Sequence, residues 1–132
     1  MSTVLITLGV AVATLIGLMF FMQVAVRLRA RALKGKPVPE IAGPTGKRIT
    51  RAKKALVYFM SPGCAACRQL TPKMKELSNR NSSVFVVDIS REFDIARALK
   101  VMATPSVIEI AEGKIVGYHV GGLPAEVVGR FS

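Results

Sequence analysis

An uncharged apolar stretch near the amino terminus constrains this 132-residue chain more than any other feature. The 23 residues from Val4 to Val26 include no charged side chain. About 20 apolar residues with a helical rise of about 1.5 Å each cross the roughly 30 Å hydrocarbon core of a bilayer. A cleavable signal peptide instead has a basic start and an apolar stretch of about 7–15 residues. We therefore predict a retained single-pass transmembrane helix within residues 1–26.

Positive charge is concentrated directly after this stretch. Residues 27–54 hold ten Lys and Arg against one acid, whereas residues 55–132 hold nine against seven. The basic residues nearest the apolar stretch are Arg27, Arg29, Arg31, Lys34 and Lys36. The positive-inside bias predicts that the rest of the chain, which we call the body (residues 27–132), lies in the cytoplasm. The same charges can contact anionic lipid headgroups. Because this segment lacks interleaved aromatic residues, we predict no nucleic-acid binding.

Small residues recur within the apolar stretch. Gly9, Ala13 and Gly17 are four residues apart, so they share one face of a helix. Such a face allows the close approach of a second transmembrane helix and would suit a membrane-protein partner. The alternative is that small residues are simply frequent in membrane helices.

The rest of the chain has the pattern of a small α/β domain. Apolar runs predict strands at 55–60, 84–89, 106–111 and 114–120, with a tight turn at Glu112-Gly113. Helical spacing predicts helices at about 64–79 and 92–100 and from Pro124 to Phe131. We expect a four-stranded mixed sheet flanked by helices. The organisation is then an anchor at 1–26, a basic juxtamembrane linker and domain start at 27–54, and a domain core at 55–132.

Both cysteines lie in one motif, Cys64-Ala65-Ala66-Cys67, between a predicted strand and a predicted helix. The i, i+3 spacing at a helix start brings two sulfur atoms close together. A thiolate at the helix amino terminus is stabilised, so Cys64 is the candidate nucleophile of disulfide exchange. Cys67 lies on the apolar face of the helix, which suits the resolving thiol.

Metal binding and an inert buried pair are the alternatives to exchange chemistry at this motif. A structural zinc site needs four ligands, and the chain offers only these two cysteines and His119. Copper(I) accepts fewer ligands, with Met60 as a third donor. We predict exchange chemistry without a metal or other cofactor, and we expect His119 to be a solvated residue at a sheet edge.

The motif and its surroundings resemble the thioredoxin-like family, most closely its membrane-anchored bacterial thiol–disulfide oxidoreductases. The resemblance covers residues 35–132 and includes the segment YFMSPGCAACRQLTP (58–72), with Arg68 after the second cysteine and Pro72 five residues after it. Met102-Ala103-Thr104-Pro105 resembles the family segment that carries a cis-proline. The resemblance implies that Thr104, Pro105 and Gly63 contact a substrate segment.

Three departures from the family pattern concern the motif. Gly63 stands where a Trp is common, the middle pair is Ala-Ala, and Tyr58 stands where classical members have a buried carboxylate. That carboxylate is thought to relay a proton for the buried thiol. Asp88 is a candidate substitute, although a strand-end role is the simpler interpretation. Pro72, Arg68 and Tyr58 surround the motif in the sequence pattern of the family, and we expect them to have supporting roles rather than to react with a substrate.

The sequence leads to two hypotheses of function. The first is a membrane-anchored thiol–disulfide oxidoreductase of the bacterial inner membrane that acts on the cysteines of partner proteins. The second is a non-catalytic accessory subunit that docks to a larger membrane complex through its transmembrane helix. The location of the body also has two answers, because the charges favour the cytoplasm and the resemblance favours the extracytoplasmic side.

Overall fold

The computed structural model describes residues 1–132, which form two compact units, Met1–Ala32 and Leu33–Ser132. The first element is helix α1 (Ser2–Leu33), and its length and composition are sufficient to cross a membrane. Most of its large apolar side chains are exposed within this chain. The helix continues past Val26 to Leu33, because the Arg, Ala and Leu residues there all favour helix.

The second unit is an α/β domain. Its elements are α2 (Gly43–Arg51), β1 (Lys54–Met60), α3 (Cys67–Arg80), β2 (Val84–Asp88), α4 (Phe93–Ala98), β3 (Ser106–Ala111), β4 (Lys114–Val120) and α5 (Ala125–Phe131). The strand order is β2-β1-β3-β4, in which β1 and β2 are parallel and the other two pairs are antiparallel. The predicted four-stranded mixed sheet flanked by helices is confirmed.

Both faces of the sheet are covered, as the continuous apolar runs predict. One face carries Val57, Phe59 and Ile108 and packs against buried residues of α2 and α4. The other carries Leu56, Tyr58 and Val107 and packs against α3 and α5. Because side chains alternate along a strand, β1, β2 and β3 contribute to both clusters, whereas β4 contributes Ile115 and Tyr118 to the first. We call these the α2/α4 face and the α3/α5 face.

The boundaries of several elements differ from the sequence predictions. Helix α3 begins at Cys67 instead of residue 64, because residues 62–66 form turns in which the Cys64 N–H donates to the Ser61 carbonyl at 3.2 Å. Strand β2 ends at Asp88 instead of residue 89, and helix α4 covers Phe93–Ala98 within the expected 92–100. Helix α2 was not predicted from the sequence, and its buried residues are only Gly46 and Ile49.

The segment that follows α1 is hydrogen-bonded to the edge strand β4. The Gly35 N–H donates to the Ile115 carbonyl at 2.6 Å, and the Ile115 N–H donates to the Lys36 carbonyl at 2.9 Å. The Val38 N–H donates to the Gly113 carbonyl at 2.9 Å. The first residues of the second unit are therefore held beside the β3–β4 turn.

Candidate active site

The two cysteines form a disulfide between β1 and α3. Their Cα atoms are 5.3 Å apart, and the loop that carries Cys64 follows the last residue of β1, Met60. The buried strand β1 fixes one side of this loop and the amino terminus of α3 fixes the other. The motif is therefore held on two rigid elements.

The two sulfur atoms have different surroundings. Cys67 is 2% exposed and lies on the buried side of α3, whereas Cys64 is partly exposed. The Cys67 N–H donates to the Cys64 sulfur at 3.2 Å, so this sulfur lies at the amino terminus of α3 although its residue precedes the helix. In the reduced state, that N–H and the positive end of the helix dipole favour a Cys64 thiolate.

The loop of Thr104 and Pro105 lies beside the loop of the motif. The Thr104–Pro105 peptide bond is cis, as the resemblance implies. The Thr104 and Ser61 hydroxyl oxygens are 3.4 Å apart, and Ser61 also accepts the hydrogen bond from the Cys64 N–H. The Pro105 carbonyl accepts a hydrogen bond from the Gly121 N–H at 2.9 Å. Thr104 and Cys64 are thus both connected to Ser61, a residue that no sequence motif singled out.

The other residues expected around the motif are accessible. Gly63 is exposed, and a Cβ atom placed on it would meet no heavy atom within 4 Å. This open space directly before Cys64 would admit an extended segment of another protein. Arg68 is exposed at the second position of α3, and Pro72 is exposed inside the same helix.

Tyr58 is buried beneath α3 as a neutral phenol. Its side chain has no exposed surface, and its hydroxyl lies 2.9 Å from the hydroxyl of Thr71, one helical turn after Cys67. Burial raises the pKa of Tyr58 above 10.0, and the hydrogen bond with Thr71 offsets part of this effect. Tyr58 therefore stays protonated at neutral pH and does not replace a carboxylate as a proton acceptor.

Asp88 serves the turn that follows β2. Its carboxylate accepts hydrogen bonds from the Ser90 hydroxyl at 2.6 Å and from the Ser90 N–H at 2.9 Å. These bonds from Ser90, the hydroxyl bond first, lower the pKa of Asp88 below its usual value. The structure thus gives Asp88 the role of a strand-end residue.

A buried polar cluster on the α3/α5 face was not predicted from the sequence. The Glu109 side chain is 8% exposed, and its Oε1 accepts a hydrogen bond from Arg130 Nη2 of α5 at 2.6 Å. His119 Nε2 lies 3.6 Å from Glu109 Oε2 and is inaccessible to solvent, so the expected solvated His119 is wrong for this nitrogen. Gly117 pairs with Glu109 across the strands and leaves room for its side chain. The sequence signal was the acid between Ile108 and Ile110.

The structure contains no group of three or more His, Cys, Asp or Glu side chains that could hold a metal ion. The Cys64–Cys67 disulfide is a redox-active group that the chain itself supplies. The Cys64–Cys67 pair can carry out thiol–disulfide exchange, in which the atoms that are oxidised and reduced are sulfur atoms.

Comparisons with known proteins point to the same chemistry. A family model described as Thioredoxin matches residues 46–131. The chain is 28% identical to a thioredoxin of Echinococcus granulosus over 93 residues. This match covers 68% of the present chain and 87% of that protein. It is 32% identical to a thioredoxin H-type of Fagopyrum esculentum over 82 residues, and this match covers 61% of the present chain and 71% of that protein.

Solved structures extend the comparison to three dimensions. The crystal structure of reduced Schistosoma mansoni thioredoxin superimposes with a TM-score of 0.51 and 33% sequence identity. The match covers 61% of this chain and 78% of that chain. The family-model match starts at residue 46 and so does not include α1.

Proposed function

Because the chain belongs to the thioredoxin family, it is a thiol–disulfide oxidoreductase, and we propose that it performs this exchange as a single-pass membrane protein. The observation that carries the proposal is the asymmetric disulfide at the end of β1. One sulfur is accessible and receives a helix N–H, and the other is buried behind it. This is the arrangement needed for one attacking and one resolving thiol.

The reaction proceeds in two exchange steps. The Cys64 thiolate attacks one sulfur of a partner disulfide, which forms a mixed disulfide and releases the first partner thiolate. The Cys67 thiolate then attacks the Cys64 sulfur, which forms the Cys64–Cys67 disulfide and releases the second partner thiolate. Two electrons pass from the dithiol to the partner, which takes up two protons. The reverse sequence oxidises a partner dithiol.

Residues around the motif have supporting roles in this proposal. Thr104, Pro105 and Gly63 form the surface that holds an extended partner segment beside Cys64. The exposed Gly63 and the Ser61–Thr104 contact support this role. Arg68 and Pro72 belong to the first turns of α3, and Tyr58 holds α3 to β1 through Thr71.

The membrane part of the proposal depends on α1. Its apolar residues 4–26 would lie in the hydrocarbon core, and the exposure of their side chains in this chain supports a lipid environment. We take residues 1–26 as the anchor, 27–54 as the basic juxtamembrane segment and 55–132 as the catalytic core. The resemblance of residues 35–132 to membrane-anchored bacterial thiol–disulfide oxidoreductases supports the bacterial inner membrane as the location.

The five basic residues that follow the apolar stretch support a cytoplasmic body. The face formed by Gly9, Ala13 and Gly17 would admit a partner helix, since a Cβ atom on either glycine would meet nothing within 4 Å. If docking through this face were the whole function, Cys64→Ser would be harmless in cells and Gly9→Leu with Gly17→Leu would not. The proposal expects the opposite order of effects.

Trapping of the mixed disulfide tests the exchange mechanism directly. In Cys67→Ser, the Cys64 sulfur can attack a partner but no second thiol resolves the product, so disulfide-linked complexes should accumulate. Cys64→Ser is the matched control and should form none. Complexes would be detected on non-reducing gels after acid quenching and should disappear on reduction. Equal trapping by both variants, or by neither, would contradict the assigned roles.

A further inference from the structure

The redox motif lies at one end of the sheet. Strand β1 runs from Lys54 to Met60, and the loop of Cys64 follows Met60. Seven residues with a rise of about 3.3 Å each separate the two ends of this strand by roughly 20 Å. The end that begins at Lys54 also includes the turn between β3 and β4, because β3 is antiparallel to β1 and Lys54 pairs with Ala111.

The end opposite the motif is strongly basic. Six basic side chains lie there or in the segment bonded to it, and all are exposed: Lys34, Lys36, Lys53, Lys54, Lys114 and Arg130. The two acids in this region are Glu112 and Glu109, and the second is paired with Arg130. We call this surface the basic end. It contains a cavity of about 490 Å³ whose lining includes Lys34, Lys53 and Lys54.

Contacts within the domain fix one of these cations. Lys54 Nζ donates to the Arg130 carbonyl at 2.7 Å and lies 4.4 Å from the centre of the Phe131 ring. The charge of Lys54 is therefore held at a set position in the lining of the cavity, to which Lys34 and Lys53 also contribute. A phosphate group that entered would meet a prepared positive field.

The loops around the motif have the opposite character. Residues 61–66, 101–105 and 121–124 contain no charged side chain. Their accessible residues include Ala65, Ala66 and Met102, which are small or apolar. These loops offer no cation to an anionic surface, although the exposed Arg68 and Lys100 flank them. The basic end with its six cations therefore attracts such a surface more strongly.

The chain also reaches the domain at the basic end. Lys34 follows Leu33, the last residue of α1. The next residues are hydrogen-bonded to the β3–β4 turn and to β4, Val38 to Gly113 and Gly35 to Ile115. Lys34 is eight residues beyond Val26, or about 12 Å along a helix. The basic end is thus the part of the second unit to which the chain from α1 connects.

We propose that the basic end binds the phosphodiester headgroups of anionic lipids and turns Cys64 away from the membrane. This inference rests on the proposed membrane anchor. A lipid surface fits better than a single free anion, because the six cations are spread across an end of the domain instead of surrounding one point. Partners would then reach Cys64 from the aqueous side, so the substrates are the cysteines of soluble proteins or of loops that extend well beyond the bilayer.

Lysine reactivity in vesicles tests this orientation on the full chain. The protein is reconstituted into phosphatidylcholine alone and into equimolar phosphatidylcholine and phosphatidylglycerol, and outward-facing lysines are labelled briefly with a water-soluble amine-reactive ester. Mass spectrometry reads each site. Lys53 and Lys114 should react about five-fold more slowly in the anionic vesicles, since each cation near such a surface is held by about 1 kcal/mol. Raised salt should restore their reactivity.

The exposed Lys73 and Lys75 of α3 are the internal controls and should react equally in both vesicles. Charge reversal gives a second, matched comparison. In K53E/K114E the slow labelling of Lys34 and Lys36 should disappear, whereas K73E/K75E should keep it. Equal rates at all sites, or equal slowing at Lys73 and Lys75, would overturn the proposal.

Two further arms separate the ways in which the proposal could fail. Inorganic phosphate added to the phosphatidylcholine vesicles should change nothing, and slowed labelling there would identify a free-anion site instead of a lipid-facing surface. An alkaline carbonate wash should leave the protein in the vesicles. Release by the wash would refute the membrane anchor, whereas retention with uniform lysine reactivity would refute only the orientation.

Discussion

The two faces of the sheet differ in what their buried groups do. The α2/α4 face is lined by aliphatic and aromatic residues such as Phe59, Val87 and Ile108. The α3/α5 face is also apolar, yet it contains the Tyr58 hydroxyl and the Glu109 carboxylate, and α3, which packs on it, contains Cys67. The α2/α4 face is thus built mainly from apolar packing. The α3/α5 face combines packing with polar contacts, of which Tyr58 with Thr71 holds α3 to β1 and Glu109 with Arg130 holds α5 to β3.

The largest expected effect on stability belongs to the α2/α4 face. Phe59 has no exposed surface, and its truncation in Phe59→Ala should lower the free energy of unfolding by about 3–5 kcal/mol, since a large cavity replaces the ring. Urea titration of the oxidised protein would measure this loss. The exposed Phe93 is the matched control, and Phe93→Ala should cost far less. Similar losses in both variants would contradict the difference in burial.

A smaller effect should appear where the α3/α5 face needs a glycine. In Gly117→Ala, the new Cβ atom would overlap Glu109 Oε2 and come within 3.2 Å of His119 Nε2. We expect a loss of about 1–3 kcal/mol from this overpacking. Gly129 of α5 has no heavy atom within 4 Å of its Cβ position, so Gly129→Ala should instead gain about 0.5–1 kcal/mol. Thermal unfolding of both variants should therefore show shifts of opposite sign.

The ion pair under α5 should contribute less. Glu109→Gln keeps the shape of the side chain but removes its charge, and we expect a loss of about 1 kcal/mol, because Arg130 is half-exposed and partly screened. Glu112 lies in the exposed turn, and Glu112→Gln should be close to neutral. A neutral Glu109→Gln variant would mean that the polar cluster does not hold α5, and the contrast between the two faces would weaken.

A similarly small effect is expected from the Tyr58 hydroxyl, and its pH dependence has a defined sign. The folded state raises the pKa of Tyr58 above 10.0, so the neutral phenol stabilises the fold at lower pH, and this contribution is lost as the pH rises above about 10. Tyr58→Phe should cost about 1 kcal/mol at neutral pH through loss of the Thr71 hydrogen bond. Its unfolding free energy should then fall less steeply than that of the wild type between pH 9 and 11.

Much of the fold follows from local patterns in the sequence. The apolar runs of 55–60 and 84–89 predict buried strands because both faces of the sheet are covered, and the Glu112-Gly113 pair predicts the β3–β4 turn. Helix α2 was not predicted, since only Ile49 gives its apolar face a large buried side chain. Its position depends on packing against the sheet, which is not encoded within nine residues.

The candidate site was predictable only in part, for a similar reason. The Cys64/Cys67 spacing and the Thr104–Pro105 segment are local motifs, and the disulfide and the cis bond are both present. The start of α3 at Cys67 was not predicted, because turns within residues 61–66 compete with the helix. The contacts of Glu109 with Arg130 and of Tyr58 with Thr71 join residues that are far apart in the chain, so no spacing rule indicates them.

The most direct test of membrane-anchored exchange is the redox state of Cys64 and Cys67 in intact cells. Cells are quenched rapidly with acid, and free thiols are then alkylated with a maleimide that shifts the apparent mass. A parallel sample is labelled before lysis with membrane-permeant or impermeant reagents. The account predicts a membrane-bound protein whose two cysteines cycle between dithiol and disulfide, with a dithiol that only the permeant reagent reaches. Cysteines that never change state would contradict exchange, and labelling by the impermeant reagent would move the body to the other side of the membrane.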